Sequence, residues 1–139
     1  MSSDSFRELY TEAKAARERS YSPYSGYKVG AALRTSSGKI FSGCNIENSS
    51  YGATVCAERV AIQKAVSEEG EIKITELVVI TDVSPPWPPC GVCRQVISEF
   101  ADKKLVIHTA NLSKETKSTA FSDLFPSAFT PAHLGKGQR

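Results

Sequence analysis

The pattern Cys56-Ala57-Glu58, followed later by Pro89-Cys90-Gly91-Val92-Cys93, constrains this chain more than any other feature. Three cysteines in two separated stretches can serve one metal ion only if the fold brings those stretches together. Three protein ligands, not four, is the count of a catalytic zinc that keeps one position for water. Glu58 stands two residues from the first of these cysteines. Held near a metal rather than on it, such a carboxylate can take up and hand on protons.

Both stretches open helical patterns. Residues 56–68 carry Val60, Ile62, Ala65 and Val66 as a buried side, and residues 90–101 carry Val92, Val96, Ile97 and Phe100 as an apolar stripe. A helix N-terminus favours negative charge and lowers a thiol's pKa. The spacing of Cys90 and Cys93 puts both sulfurs on one side of a first turn. Three thiolates on Zn²⁺ leave a net charge of −1, which Arg59 or Arg94 could offset by donating to the sulfurs. Two other readings of the cysteines stand beside this one. Cys44 as a fourth ligand would make a closed structural site. Pro-Cys-Gly-Val-Cys as a thioredoxin-like redox motif would need neither Cys56 nor Glu58.

The rest of the chain reads as scaffold. Residues 5–19 have apolar positions at helical spacing, and Ser5 with Glu8 fits a capping box. Residues 21–26 form a tyrosine-bearing loop, and residues 29–34 and 40–44 are two strands joined across Ser36 to Lys39. A polar loop, Asn45 to Gly52, leads into the metal stretch. Residues 76–81 are a β-branched run suited to a central strand buried on both faces. The proline-dense loop 84–89 holds Trp87, the single tryptophan. A strand at 105–109, an edge strand at 116–120 and a short helix at 121–124 complete the pattern, with a loose tail at 135–139. Strand pairs followed by alternating helix and strand imply helices covering a mixed sheet.

At 139 residues, 40% apolar and 23% charged, the chain has the dimensions of one globular domain spanning 1–139. A net charge of +2, with scattered lysines and arginines, supplies no basic groove for a nucleic acid. No stretch approaches a membrane span, and Met1 to Ser20 lacks the apolar centre of a signal peptide. The expectation is a cytoplasmic protein whose cysteines bind metal rather than pair as disulfides.

Taken together, Tyr21-Ser22-Pro23-Tyr24-Ser25, Val29-Gly30-Ala31-Ala32-Leu33, Gly43-Cys44-Asn45-Ile46-Glu47-Asn48, Cys56-Ala57-Glu58-Arg59, Pro89 to Gln95 and Leu124-Phe125-Pro126 resemble the small homotetrameric cytidine deaminases. The likeness runs from about Ser20 to Leu134. It implies a three-layer α/β/α fold with a mixed, roughly five-stranded sheet. It also implies one zinc per subunit on Cys56, Cys90 and Cys93, with Glu58 as proton shuttle for a zinc-bound water that attacks C4 of free cytidine or deoxycytidine. Uridine or deoxyuridine and ammonia would result, a step of pyrimidine salvage.

By the same resemblance, Asn45 and Glu47 would bind the ribose, the Ala57 backbone the pyrimidine edge, and Tyr27 the base. Arg59 would donate to the thiolates. Tyr51 and Phe129 would reach a neighbouring subunit's pocket in a homotetramer. Tyr27-Lys28 stands where that family commonly has phenylalanine and proline, and Thr130 where glycine often follows the late phenylalanine. A deaminase of a nucleoside analogue such as blasticidin, and a zinc-stabilised binding module without catalysis, are the alternative functions.

Overall fold

The computed structural model describes residues 3–136. Its elements are α1 (Ser3–Arg17), β1 (Val29–Thr35), β2 (Ile40–Cys44), α2 (Ala57–Glu69), β3 (Ile74–Thr81), α3 (Gly91–Phe100), β4 (Ala101–Ala110), β5 (Thr116–Ala120) and α4 (Phe121–Leu124). Single 3-10 turns occupy Tyr51–Ala53 and Pro131–Leu134. The strands form one five-stranded sheet in the order β2-β1-β3-β4-β5. Only β3 and β4 run parallel, with Val78 opposite His108; the other pairs are antiparallel. The parallel pair is what requires α3 as a crossover, because a parallel strand cannot be reached by a tight turn.

Side chains of successive strand residues point to opposite faces, so β3 feeds two cores. Val78 and Ile80 join Leu9, Tyr10 and Ala13 of α1 on one face. Leu77 and Val79 join Ala61, Ile62 and Ala65 of α2 and Cys93 and Ile97 of α3 on the other. The result is the expected three-layer arrangement with a mixed sheet. Among the described residues, no helix is long and apolar enough to cross a membrane.

Several local expectations change. Helix α1 begins two residues before Ser5, so Ser5 lies within it and does not cap it. Its hydroxyl instead donates to Glu76 Oε1 at 2.5 Å. On α2 the buried residues are Ala57, Glu58, Ala61, Ile62 and Ala65, while Val60 is only half-buried. On α3 Val92 faces out and the buried positions are Cys93 and Ile97. Strand β4 starts at Ala101, directly after α3, four residues before the predicted start at Leu105. Of the tail expected to be loose, residues 137–139 lie outside the described residues.

Candidate active site

Cys56 and Cys90 are the N-cap residues of α2 and α3, each with extended backbone before its helix. Cys93 sits in the first turn of α3, and its backbone N–H donates to Cys90 Sγ at 3.4 Å. Prolines 88 and 89 cannot continue a strand or donate a backbone hydrogen bond, so the chain enters α3 abruptly at Cys90. The two helix starts thus meet, and the sulfurs of Cys56, Cys90 and Cys93 all lie within 4.8 Å of one another.

The Cys56–Cys90 sulfur separation is 3.8 Å. Two thiolates on a tetrahedral zinc at about 2.3 Å each stand about 3.8 Å apart, so this spacing fits a shared ion and not a disulfide. Cys44 lies on β2 and is no member of the cluster, which disposes of the closed four-ligand site among the described residues.

Arg59, in the first turn of α2, donates from Nη2 to Cys56 Sγ at 3.5 Å. Hydrogen bonding from Cys93, aided by Arg59 and Cys90, holds the Cys56 thiol down to about 5, against the burial that opposes its ionisation. Cys93 is pushed up, because it donates to Cys56 and is itself buried. The cluster therefore holds one thiolate readily, shared across the Cys56–Cys93 hydrogen bond, and a cation arriving there would displace the remaining protons. Arg94 does not serve the sulfurs. Its Nε donates to Pro89 O at 2.9 Å and its Nη1 to Leu124 O at 2.9 Å, so it braces the loop ahead of Cys90.

Glu58 is 4% exposed, in the first turn of α2. Burial raises its pKa to about 7. A carboxyl poised near neutrality can both accept and release a proton, which is what a shuttle requires. It opens on a pocket of about 310 Å³ that is also lined by Cys56, Cys90, Asn45, Glu47 and Tyr27. Ala57 lines the same pocket.

Three loops are laced together around this pocket. Tyr21 bridges Ile46, and Ile46 bridges Val55 just before Cys56. Glu47 is held by Tyr24 N at 2.9 Å, Ser25 N at 3.1 Å and Ser25 Oγ at 2.5 Å. The Ser25 hydroxyl bond, chiefly, keeps its carboxylate ionised below the usual range. An ionised carboxylate is acceptor-only and has capacity left for further donors.

Asn45 is 8% exposed. Its Oδ1 accepts from Ser20 Oγ and from Val29 N, and its Nδ2 donates to Tyr27 O at 2.8 Å. One N–H of that amide is left over, so Asn45 first shapes the pocket wall and has a single donor to offer a ligand. Tyr27 is 52% exposed, which relieves its hydroxyl of any need for a buried partner.

Two predicted residues stay apart from this pocket. Tyr51 is 76% exposed, packs edge-on against Tyr24 and lines a neighbouring shallow cleft. Phe129 is exposed and stacks on His133. The residues that sequence reasoning missed are Ser20 and Ser25, which orient Asn45 and Glu47, and Thr81 and Trp87 on the pocket wall. A serine in a polar loop carries no signal of the side chain it will clamp. Trp87 had one, since it stands three residues before Cys90.

Comparison with known proteins agrees with this geometry. The family model described as cytidine and deoxycytidylate deaminase zinc-binding region matches residues 3–109. The chain is 46% identical over 126 residues to a cytidine deaminase of Sporosarcina psychrophila, covering 91% of this chain and 92% of that one. It is 41% identical over 135 residues to a probable cytidine deaminase of Dictyostelium discoideum, covering 96% and 90% respectively. The crystal structure of a cytidine deaminase from Burkholderia pseudomallei superposes with a TM-score of 0.84 at 41% identity, over 93% of this chain and all of that one. The three-sulfur cluster is therefore a zinc site, and the chain belongs to the cytidine and deoxycytidylate deaminase family.

Proposed function

We propose that this enzyme hydrolyses the amino group from free cytidine and deoxycytidine, giving uridine or deoxyuridine and ammonia, as a step of pyrimidine salvage. The observation that carries the reading is Glu58, buried in the first turn of α2 and lining the same pocket as Cys56 and Cys90 of the three-sulfur cluster. Cys56, Cys90 and Cys93 would hold the zinc. When bound, zinc supplies Lewis acidity that makes water a nucleophile at neutral pH.

Glu58 then accepts the proton that water loses as its oxygen bonds to C4 of the base. It delivers that proton to N3, relieving the charge that develops on the ring. The proton left on the attacking oxygen then passes through Glu58 to the exocyclic amine as the C4–N bond breaks, so that C4 becomes a carbonyl and ammonia leaves. Its burial excludes bulk water, which would otherwise solvate the carboxylate and take the proton away. Arg59 draws charge from Cys56 and so counters the excess negative charge of three thiolates.

At the far end of the pocket the ribose hydroxyls donate to Glu47, and the remaining Asn45 N–H completes the grip. The Ala57 backbone meets the edge of the base, and Tyr27 offers it an aromatic face. We further propose a homotetramer in which Tyr51 and Phe129 reach a neighbour's pocket; their exposure supports that role. The four free cysteines suit a reducing compartment, and we place the enzyme in the cytoplasm.

Glu58→Gln tests the reading. The variant keeps size and the donor to the pocket but cannot shuttle protons. It should fold, retain one zinc per chain and lose on the order of 10²–10⁴ in kcat toward cytidine. Wild-type turnover by the zinc-loaded variant would show that the proton path runs elsewhere.

A further inference from the structure

Trp87 belongs to neither hydrophobic core, and 44% of its surface is exposed. Its backbone is nonetheless fixed. The Trp87 N–H donates to Thr81 Oγ1 at 3.1 Å, at the end of β3. Two residues later Pro89 O accepts from Arg94 Nε. The loop is therefore pinned at the indole-bearing residue itself and two residues after it. What this fixed loop presents to the pocket is an aromatic ring, packed edge-to-face on Tyr27 with ring centroids 4.9 Å apart and planes at 60°. Both rings line the cavity that holds Cys56, Glu58 and Cys90. The two come from different loops, so each ring limits where the other can go.

We infer that Trp87 is a specificity-determining residue: it holds the Tyr27 ring as the surface for the base and limits what the C5 edge of that base can carry. The inference rests on the deaminase reading and deepens it. C4 has two ring neighbours, N3 and C5. Glu58 must reach N3 to protonate it, so the N3 side of the base faces the start of α2. In this proposal C5 is set against the loop that carries Trp87 and Pro88, both of which line this cavity. An indole held there leaves room for hydrogen or a small group and collides with a large one. The same indole packs the edge of Tyr27, and losing an aromatic pair of this kind should weaken base binding about three- to tenfold.

Trp87 is the chain's one tryptophan, so the wild-type protein carries its own probe. Titration with uridine, which is not consumed, should change the tryptophan emission saturably. Steady-state kinetics on zinc-loaded protein then separates the roles. Trp87→Ala should raise KM for cytidine about three- to tenfold with kcat held within about twofold. It should also raise kcat/KM for 5-iodocytidine relative to cytidine by at least about threefold. Trp87→Phe retains a ring against Tyr27 and should keep KM within about twofold of wild type; its melting temperature and zinc content verify the fold of the loop independently of Trp87→Ala. Unchanged KM and an unchanged 5-iodocytidine ratio in Trp87→Ala overturn the inference, as does a loss confined to kcat. If wild-type protein fails to convert cytidine, the deaminase reading falls and takes this inference with it. If wild type converts cytidine and Trp87→Ala behaves identically, the inference alone falls.

Discussion

His108 and Glu76 form a second titratable pair, on the α1 side of the sheet and outside the catalytic pocket. His108 Nε2 lies 2.9 Å from Glu76 Oε2, and its Nδ1 lies 2.7 Å from Ser118 Oγ. The edge of Phe6 closes over the imidazole, with ring centroids 5.1 Å apart. Burial outweighs the attraction of Glu76 and pulls the His108 pKa below its ordinary 6.5. The folded protein thus resists protonating a ring that the unfolded chain protonates freely below about pH 6.5. The unfolded state binds more protons in that window, so His108 contributes stability that is present above about pH 6.5 and is lost as the pH falls toward the folded pKa. His108→Ala removes a hydrogen bond to the buried Glu76, which keeps the Ser5 hydroxyl, and should cost about 1.5–3 kcal/mol at pH 7 by urea denaturation. The double variant Glu76→Leu, His108→Leu removes both polar groups and should recover most of that loss. If the double variant is no more stable than His108→Ala, the pair is not coupled as described. None of this was legible in the sequence. Glu76 reads there as the polar start of a strand, and nothing local says that a histidine 32 residues on will cover it.

At the scale of elements, the position of the metal site depends on how closely α2 lies against β2. A Cβ placed on Gly43 would fall 2.7 Å from Ala61 N and 2.8 Å from Ala57 O. Both are backbone atoms of α2, and neither can move without carrying the helix. Ala57 lies between Cys56 and Glu58, so the same movement would displace a zinc ligand and the proposed proton shuttle together. Gly43→Ala should cost about 1–3 kcal/mol of stability and weaken zinc retention against a competing chelator, read by colorimetric zinc release. Wild-type stability and zinc release in this variant would mean that the helix has slack the packing does not reveal.

The elements themselves were largely legible, because their apolar periods and their glycine and proline stops are local. The hairpin at 36–39, the doubly buried β3 and the proline loop all fall where the pattern puts them. The departures come from contacts with distant partners. Ser5 fits a capping box by spacing, but Glu76 on the sheet captures its hydroxyl. Val92 fits an apolar stripe on α3, but the sulfur of Cys93 takes the inward side of that first turn and leaves Val92 facing out. The three-cysteine cluster could be read because its spacing is itself the chemistry. The hydrogen bonds that aim Asn45 and Glu47 could not, because they join residues 25 and 22 positions apart that only the fold brings together.

Several aromatic and aliphatic side chains stay exposed in the single chain. Tyr51 is 76% exposed, Leu134 65% and Phe129 55%. In one chain Tyr51 rests on Tyr24 and Phe129 on His133; in the proposed tetramer these two rings finish pockets that belong to other chains. A division of labour between subunits has a consequence that separate subunits could not imitate. Phe129→Ala chains keep Glu58 but hand their neighbours a defective wall, so the pure variant should lose activity. Glu58→Gln chains are inert yet still offer Phe129. If the two are unfolded and refolded together in equal amounts, random assembly pairs an intact Glu58 with an intact neighbouring Phe129 in about a quarter of the sites. Activity per site should then rise to about a quarter of wild type, above either parent alone, in a species that sediments as four chains. Activity that merely averages the two parents would place Phe129 outside the catalytic site. Full activity in Phe129→Ala alone would do the same, and the pocket as one chain builds it would then be complete.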